Sequence, residues 1–132
     1  GAASWKKWLD SLNDLSGPVH LTLDIDGLDG SLVPATGTPV PGGLSFWQVI
    51  ETIEAVFAAP NATVISADVN EIVAQEDTPL TQFTAACLAT KAVASHILAR
   101  QEGRWTPSNG EPQEHFKSTF FKDWSKTLPS SN

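Results

Sequence analysis

The chain has 132 residues, with eight basic and fifteen acidic side chains and a formal charge of -7. That length predicts one domain able to bury roughly two-thirds of the surface of its unfolded chain, and the acidic balance argues against a nucleic-acid or anionic-membrane partner while suiting a cationic ligand. The single cysteine, Cys87, excludes an internal disulfide. It sits in an apolar helical run, where it reads as a small buried hydrophobe in a reducing compartment. No apolar run approaches the ~20 residues of a membrane span, and the N-terminus lacks the charged-then-apolar layout of a secretory signal. A soluble, cytoplasmic protein is expected.

The first element is an amphipathic helix over residues 4 to 15, with Trp5, Trp8, Leu9, Leu12 and Leu15 at three- and four-residue steps. Ser4 is the candidate N-cap, and Ser16-Gly17-Pro18 the stop. A strand follows over about Val19 to Ile25. Residues 27 to 44 are too dense in glycine and proline for a regular element and suit an ordered loop over a site. Ser45 is a good N-cap for a helix carrying Trp47, Val49, Ile50, Ile53, Val56 and Phe57, which runs to Pro60-Asn61. A second strand, about Thr63 to Val69, is β-branched and apolar enough to be buried, and its far end carries Asp68, Asn70 and Glu71. A polar loop leads to an alanine-rich helix from about Thr81 to Gln101, whose apolar face is read as Phe83, Ala86, Cys87, Thr90, Val93, Ala94, Ile97 and Leu98. Residues 103 to 132 change character, with prolines, scattered aromatics (Trp105, Phe116, Phe120, Phe121, Trp124) and a Ser/Asn end. They read as an extension that drapes over its own domain or a neighbouring subunit and frays at its end. The division is therefore a domain over 1–102 and an extension over 103–132.

Helix, strand, loop, helix, strand, loop, helix is the order of a parallel α/β sheet with helices on its faces. In such sheets ligands sit beyond the carboxyl ends of the strands. Asp24 and Asp26 lie at one strand end and Glu71 at the next, so three carboxylates can converge on one crevice. Acidic residues two apart on a strand point to the same face, where they repel unless a cation neutralises them. An EF-hand loop counted from Asp24 fails, because Leu28, Asp29 and Ala35 stand where Asp/Asn, Gly and Glu are required. Two strands alone do not make a stable sheet, so part of the architecture has to come from elsewhere.

Asp24-Ile25-Asp26-Gly27-Leu28-Asp29, then Pro34-Ala35-Thr36-Gly37-Thr38-Pro39 and Gly42-Gly43-Leu44, closely resembles the second metal motif of the arginase/agmatinase (ureohydrolase) family. Ser66-Ala67-Asp68-Val69-Asn70-Glu71 resembles the later strand whose Glu holds the substrate guanidinium. The resemblance covers roughly residues 5 to 102 in a fixed order and implies the C-terminal portion of a three-layer α/β/α parallel-sheet fold. It further implies metal-dependent hydrolysis of a guanidino compound (arginine, agmatine or guanidine) to urea and an amine. The implied cofactor is two divalent metal ions, Mn²⁺ with Ni²⁺ as the alternative. By position Asp24 and Asp26 match the metal-ligand aspartates, Asp26 also serving the reaction centre. Glu71 matches the carboxylate that receives the planar fork of guanidinium donors. Thr38 matches a loop hydroxyl beside the reacting centre, and Asp68 a supporting hydrogen-bonding group.

The departures from the family are informative. Gly30 stands where Pro usually follows Leu-Asp, and Val73-Ala74 lacks the Pro common after the Glu. The family's Gly-Gly-Asp-His and Asp-Ala-His-x-Asp motifs do not occur, while His20, His96 and His115 read as packed or surface histidines. Two aspartates leave a metal pair under-coordinated, so this chain is expected to be inactive alone and to need the N-terminal part of the same fold as partner. The resemblance also implies a homo-oligomer, a trimer or hexamer. The rival reading is a noncatalytic regulatory or scaffold subunit derived from the same fold.

Overall fold

The structure is a computed structural model and describes residues 1–74 and 79–104. Helix α1 spans Ala2–Ser11 and tightens into a 3₁₀ turn over Leu12–Asp14. Strand β1 spans Ser16–Asp24, α2 Phe46–Ala58, β2 Asn61–Asn70 and α3 Leu80–Gln101. Strands β1 and β2 pair in parallel from Ser16↔Asn61 to Asp24↔Asn70, with a register shift between Val19 and His20. The α2 crossover between them and the α3 that follows pack on each other and on β2.

The sheet has two unlike faces because β1 alternates. Val19, Leu21 and Leu23 pack against a core that includes Val49, Ile53, Val64 and Leu88. His20, Thr22 and Asp24 point the other way and are exposed. Among the described residues the helices therefore cover one face of the sheet, a portion of the layered α/β architecture that the element order predicts.

Several boundaries and burial assignments differ from the sequence expectation. Helix α1 begins at Ala2 with Gly1 at its N-cap, and Ser4 lies inside it. The stop triad Ser16-Gly17-Pro18 already belongs to β1, since the 3₁₀ turn ends the helix before it. Ser45 caps α2 as read: its hydroxyl accepts from the Gln48 N–H, and the Gln48 side chain accepts in return from the Ser45 N–H. Trp47, counted as part of the apolar face of α2, is 70% exposed. Strand β2 is buried only at Ala62 and Val64, while Ile65 to Asp68 are exposed, because the described sheet has no further strand beside them.

The largest correction concerns α3. Its buried face is Thr81, Thr84, Ala85, Leu88, Ala92, Ser95 and Ala99. The residues read as core, Phe83, Ala86, Cys87, Thr90, Val93, Ala94, Ile97 and Leu98, are all exposed. Small side chains let α3 approach α2 closely, and the bulky apolar residues are left on the outside. Cys87 is thus an exposed thiol rather than a buried hydrophobe. No described helix is long and apolar enough to cross a membrane. The Trp105, Phe116, Phe120, Phe121 and Trp124 cluster and His115 lie outside the described residues.

Candidate functional site

The sequence places Asp24 and Asp26 on one face of a strand, and here the local structure differs. Strand β1 stops at Asp24, and Ile25–Gly27 turns as a 3₁₀ segment that buries Ile25 completely. Driving Ile25 into the core carries the backbone out of extended geometry, so Asp26 projects from the turn instead of the strand. The turn ends when the Leu28 N–H donates to the Ile25 carbonyl at 3.2 Å.

The loop after the turn is folded on itself. Leu28 bridges Leu44, and Asp29 bridges Val40. The Asp29 carboxylate accepts from the Ser31 N–H at 3.0 Å, the Ser31 hydroxyl at 2.5 Å and the Gly42 N–H at 2.7 Å. These donors, the Ser31 hydroxyl foremost, hold the Asp29 carboxyl below its ordinary pKa. Asp29 was not singled out in the sequence, although Asp29-Gly30-Ser31 is a recognisable Asx-turn signature. Folded this way, the loop returns Thr38 to the start of the motif, where its hydroxyl donates to Asp26 Oδ2 at 2.6 Å.

Glu71 is the first residue beyond β2, and because Asp24 pairs with Asn70 it emerges beside the end of β1. Its φ of 62° is left-handed, the single positive value at a non-glycine among the described residues. For an L-residue that conformation costs roughly 1–2 kcal/mol. The segment is anchored just after it. The Val73 N–H donates to the Ala35 carbonyl at 3.0 Å, and the Ala35 N–H donates to the Thr81 hydroxyl at 2.8 Å. Thr81 is fully buried. One residue of the loop, Ala35, therefore links the Glu71 segment to the first turn of α3, a link that nothing in the linear pattern announces.

Asp68 lies on the exposed face of the sheet in a polar cross-strand group. Its Oδ1 accepts from the Thr22 hydroxyl and the Asn70 amide, each at 2.7 Å, and its Oδ2 lies 3.1 Å from His20 Nε2. Chiefly the Thr22 hydroxyl holds its carboxyl below the ordinary value. His20 Nδ1 also shares a 2.7 Å hydrogen bond with Ser66. His96 stacks edge-on against Phe57 with ring centroids 6.5 Å apart. Among the described residues no group of three or more His, Cys, Asp and Glu stands together to hold a metal ion.

Strand-end carboxylates on a parallel sheet, under a loop that hydrogen-bonds one of them, define the class: an α/β protein with a candidate site beyond the carboxyl ends of its strands. The structure superposes on the agmatine ureohydrolase of Thermoplasma volcanium with a TM-score of 0.65 and 28% identity, covering 74% of this chain and 32% of that one. It also superposes on the arginase from Bacillus caldovelox with a TM-score of 0.53 and 29% identity, covering 69% of this chain and 30% of the other. In sequence the chain is 39% identical over 85 residues to the N(1)-aminopropylagmatine ureohydrolase of Thermococcus kodakarensis, a match to 64% of this chain and 29% of that protein. The profile of the Arginase family matches residues 2–95. The chain belongs to that family and spans about a third or less of the length of the relatives it matches.

Proposed function

We propose that this chain supplies the C-terminal part of a ureohydrolase site and hydrolyses a guanidino compound to urea and an amine once the N-terminal part of the fold is joined to it. The observation that carries this reading is the placement of Asp24, Asp26 and Glu71 at adjacent parallel strand ends, with Thr38 turned back onto Asp26. Kinship with arginase and agmatine-type ureohydrolases supports the reaction class.

The donor set fits the metal chemistry in kind but is incomplete in number. Asp24 and Asp26 are short anionic oxygen ligands of the type that hold a pair of divalent cations, Mn²⁺ or Ni²⁺, and the histidine and further aspartate ligands come from the N-terminal part. When bound, such a pair supplies Lewis acidity and a nucleophile at neutral pH. Thr38 keeps the Asp26 carboxylate oriented through its 2.6 Å hydrogen bond. Glu71 offers two oxygens to the planar guanidinium, and a −7 chain favours approach of that cation. The left-handed backbone at Glu71 is strain of the kind kept where a side chain has to be aimed. The N-terminal part seats on the edge of β2 that no described strand pairs with and on the adjoining groove of about 570 Å³, whose lining includes Ile65, Ala67, Val69 and Val93. The complete domain assembles as a trimer or hexamer.

The test is an amidinohydrolase assay on the Mn²⁺- or Ni²⁺-loaded assembly with arginine, agmatine and guanidine, beside a measurement of bound metal. Asp26→Ala lowers both metal content and urea release. Glu71→Ala leaves metal content intact and abolishes turnover. Retained turnover in either variant overturns the assignment, and an assembly that binds neither metal nor substrate favours the scaffold reading.

A further inference from the structure

The buried face of α3 opens with two threonines, Thr81 and Thr84, at positions where apolar side chains would pack as well. A buried hydroxyl needs a partner, and both find theirs on the same stretch of loop backbone. Thr81 Oγ1 accepts from the Ala35 N–H at 2.8 Å, and Thr84 Oγ1 donates to the Leu32 carbonyl at 3.2 Å. Val33, between the two bonds, is fully buried, as is Ala35. The loop is thus fixed to the start of α3 by directional bonds as well as by packing.

We infer that Thr81 is a positioning residue for the substrate: acting through Ala35, it fixes where the Glu71 carboxylate stands relative to Asp26 and Thr38. The inference rests on the reading of Glu71 as the guanidinium carboxylate. Ala35 uses both of its backbone groups, its N–H toward Thr81 and its carbonyl to accept from the Val73 N–H at 3.0 Å. Val73 is two residues beyond Glu71, and Asn70, just before Glu71, is held in register with Asp24. Glu71 is therefore pinned on both sides, which is how its backbone is kept at a φ of 62°. In the other direction the loop runs from Ala35 to Thr38, whose hydroxyl holds Asp26. One anchored loop so reaches both the metal-side aspartate and the substrate-side carboxylate.

Packing does not hold the segment after Glu71, because Ile72 and Val73 are both exposed. Among the described residues the Val73–Ala35 bond is what ties it down. Aim matters there, since a carboxylate receives the planar guanidinium through two parallel bonds. A misplacement of ~1 Å at such a site can cost about 10²-fold in rate. Thr81, fully buried at the start of a 22-residue helix, is a rigid reference for that aim.

The test uses the metal-loaded assembly and whichever of agmatine, arginine and guanidine it turns over. Thr81→Val keeps the shape of the side chain and removes the acceptor; it should raise KM about tenfold, with bound metal at the parent level and Thr81→Ser restoring the parent KM. KM does not depend on the fraction of chain that is folded, so a purely structural role for Thr81 would leave it unmoved. Ala99→Gly, which weakens α3 at its other end, should keep the parent KM. Val73→Pro deletes the other bond of the link at an exposed position and should raise KM as Thr81→Val does, which keeps the proposal falsifiable if the valine variant fails to fold. Amide exchange should find the Val73 N–H protected in the parent and open in Thr81→Val. A parent KM in Thr81→Val or Val73→Pro, unchanged protection at Val73, a raised KM in Ala99→Gly, or a loss of metal in Thr81→Val overturns the proposal while leaving the catalytic reading in place. Retained turnover in Glu71→Ala overturns that reading and the proposal with it.

Discussion

Replacing Gly43 by alanine tests whether the loop over residues 27 to 44, which returns Thr38 to Asp26, is built as a rigid clasp. A Cβ on Gly43 falls 2.4 Å from the carbonyl carbon of Leu28, 2.5 Å from its oxygen and 2.7 Å from the Asp29 nitrogen. All three are backbone atoms, so no side chain can swing aside and the strands of the loop have to part. Parting them breaks the bridge in which Leu44 N–H donates to Gly27 at 2.9 Å and Asp29 N–H donates to Leu44 at 3.0 Å. Two such hydrogen bonds contribute about 1 kcal/mol each, and overpacking adds about 1–3 kcal/mol. A loss of about 3–5 kcal/mol is expected, a large share of a typical domain's total. Gly37 in the same loop is the control, because nothing lies within 4 Å of its Cβ position and its φ is not positive. Gly37→Ala should change stability by no more than about 0.5 kcal/mol. Urea unfolding of the full chain, followed by tryptophan fluorescence, reads both variants at once. Equal midpoints at unchanged slope would refute the clasp.

Glu71→Gly should raise stability by about 1 kcal/mol by relieving the left-handed backbone, while guanidino turnover is lost; Glu71→Ala should lose turnover without that gain, as the paired unfolding midpoints will show. Thr81→Val leaves the buried Ala35 N–H without its acceptor and should cost about 1–3 kcal/mol, with Thr81→Ser close to the parent; a Val variant as stable as the Ser variant contradicts the Ala35 link. Asp29 has a folded pKa below its unfolded one, so it binds protons more weakly in the folded chain, and its contribution is full above the ordinary carboxylate value of about 3.9. That contribution disappears as pH falls through the lower folded value, and Asp29→Asn should flatten this acid limb. Carboxyl carbon NMR placing the Asp29 titration at or above the ordinary value would contradict it.

Much of the site is legible in the chain because its cues are local. Ser45 followed by Gln48 marks a helix start, a β-branched run marks each strand, and polar residues collect at the strand ends where a parallel sheet exposes them. The turn at Ile25–Gly27 was not legible, because an Asp-x-Asp in an apolar run gives the same pattern whether the middle residue stays extended or is drawn into the core. Helix α3 misled for a related reason. Nearly every position is apolar or small, so periodicity offers two candidate faces, and only packing against α2 chooses Thr81, Ala85, Leu88 and Ala92 over Phe83, Val93 and Ile97. The Asp29 and Thr81 contacts join residues brought together by loop closure, a feature no spacing rule encodes.

The central claim is that Asp24, Asp26 and Glu71 complete a guanidino-hydrolysing site whose other residues come from the N-terminal part of the fold. Urea release from agmatine, arginine and guanidine, measured with that part supplied and Mn²⁺ bound, tests it most directly. Turnover that requires this chain and vanishes in Glu71→Ala and Asp26→Ala is the predicted result. Turnover that proceeds unchanged in both variants would contradict the account.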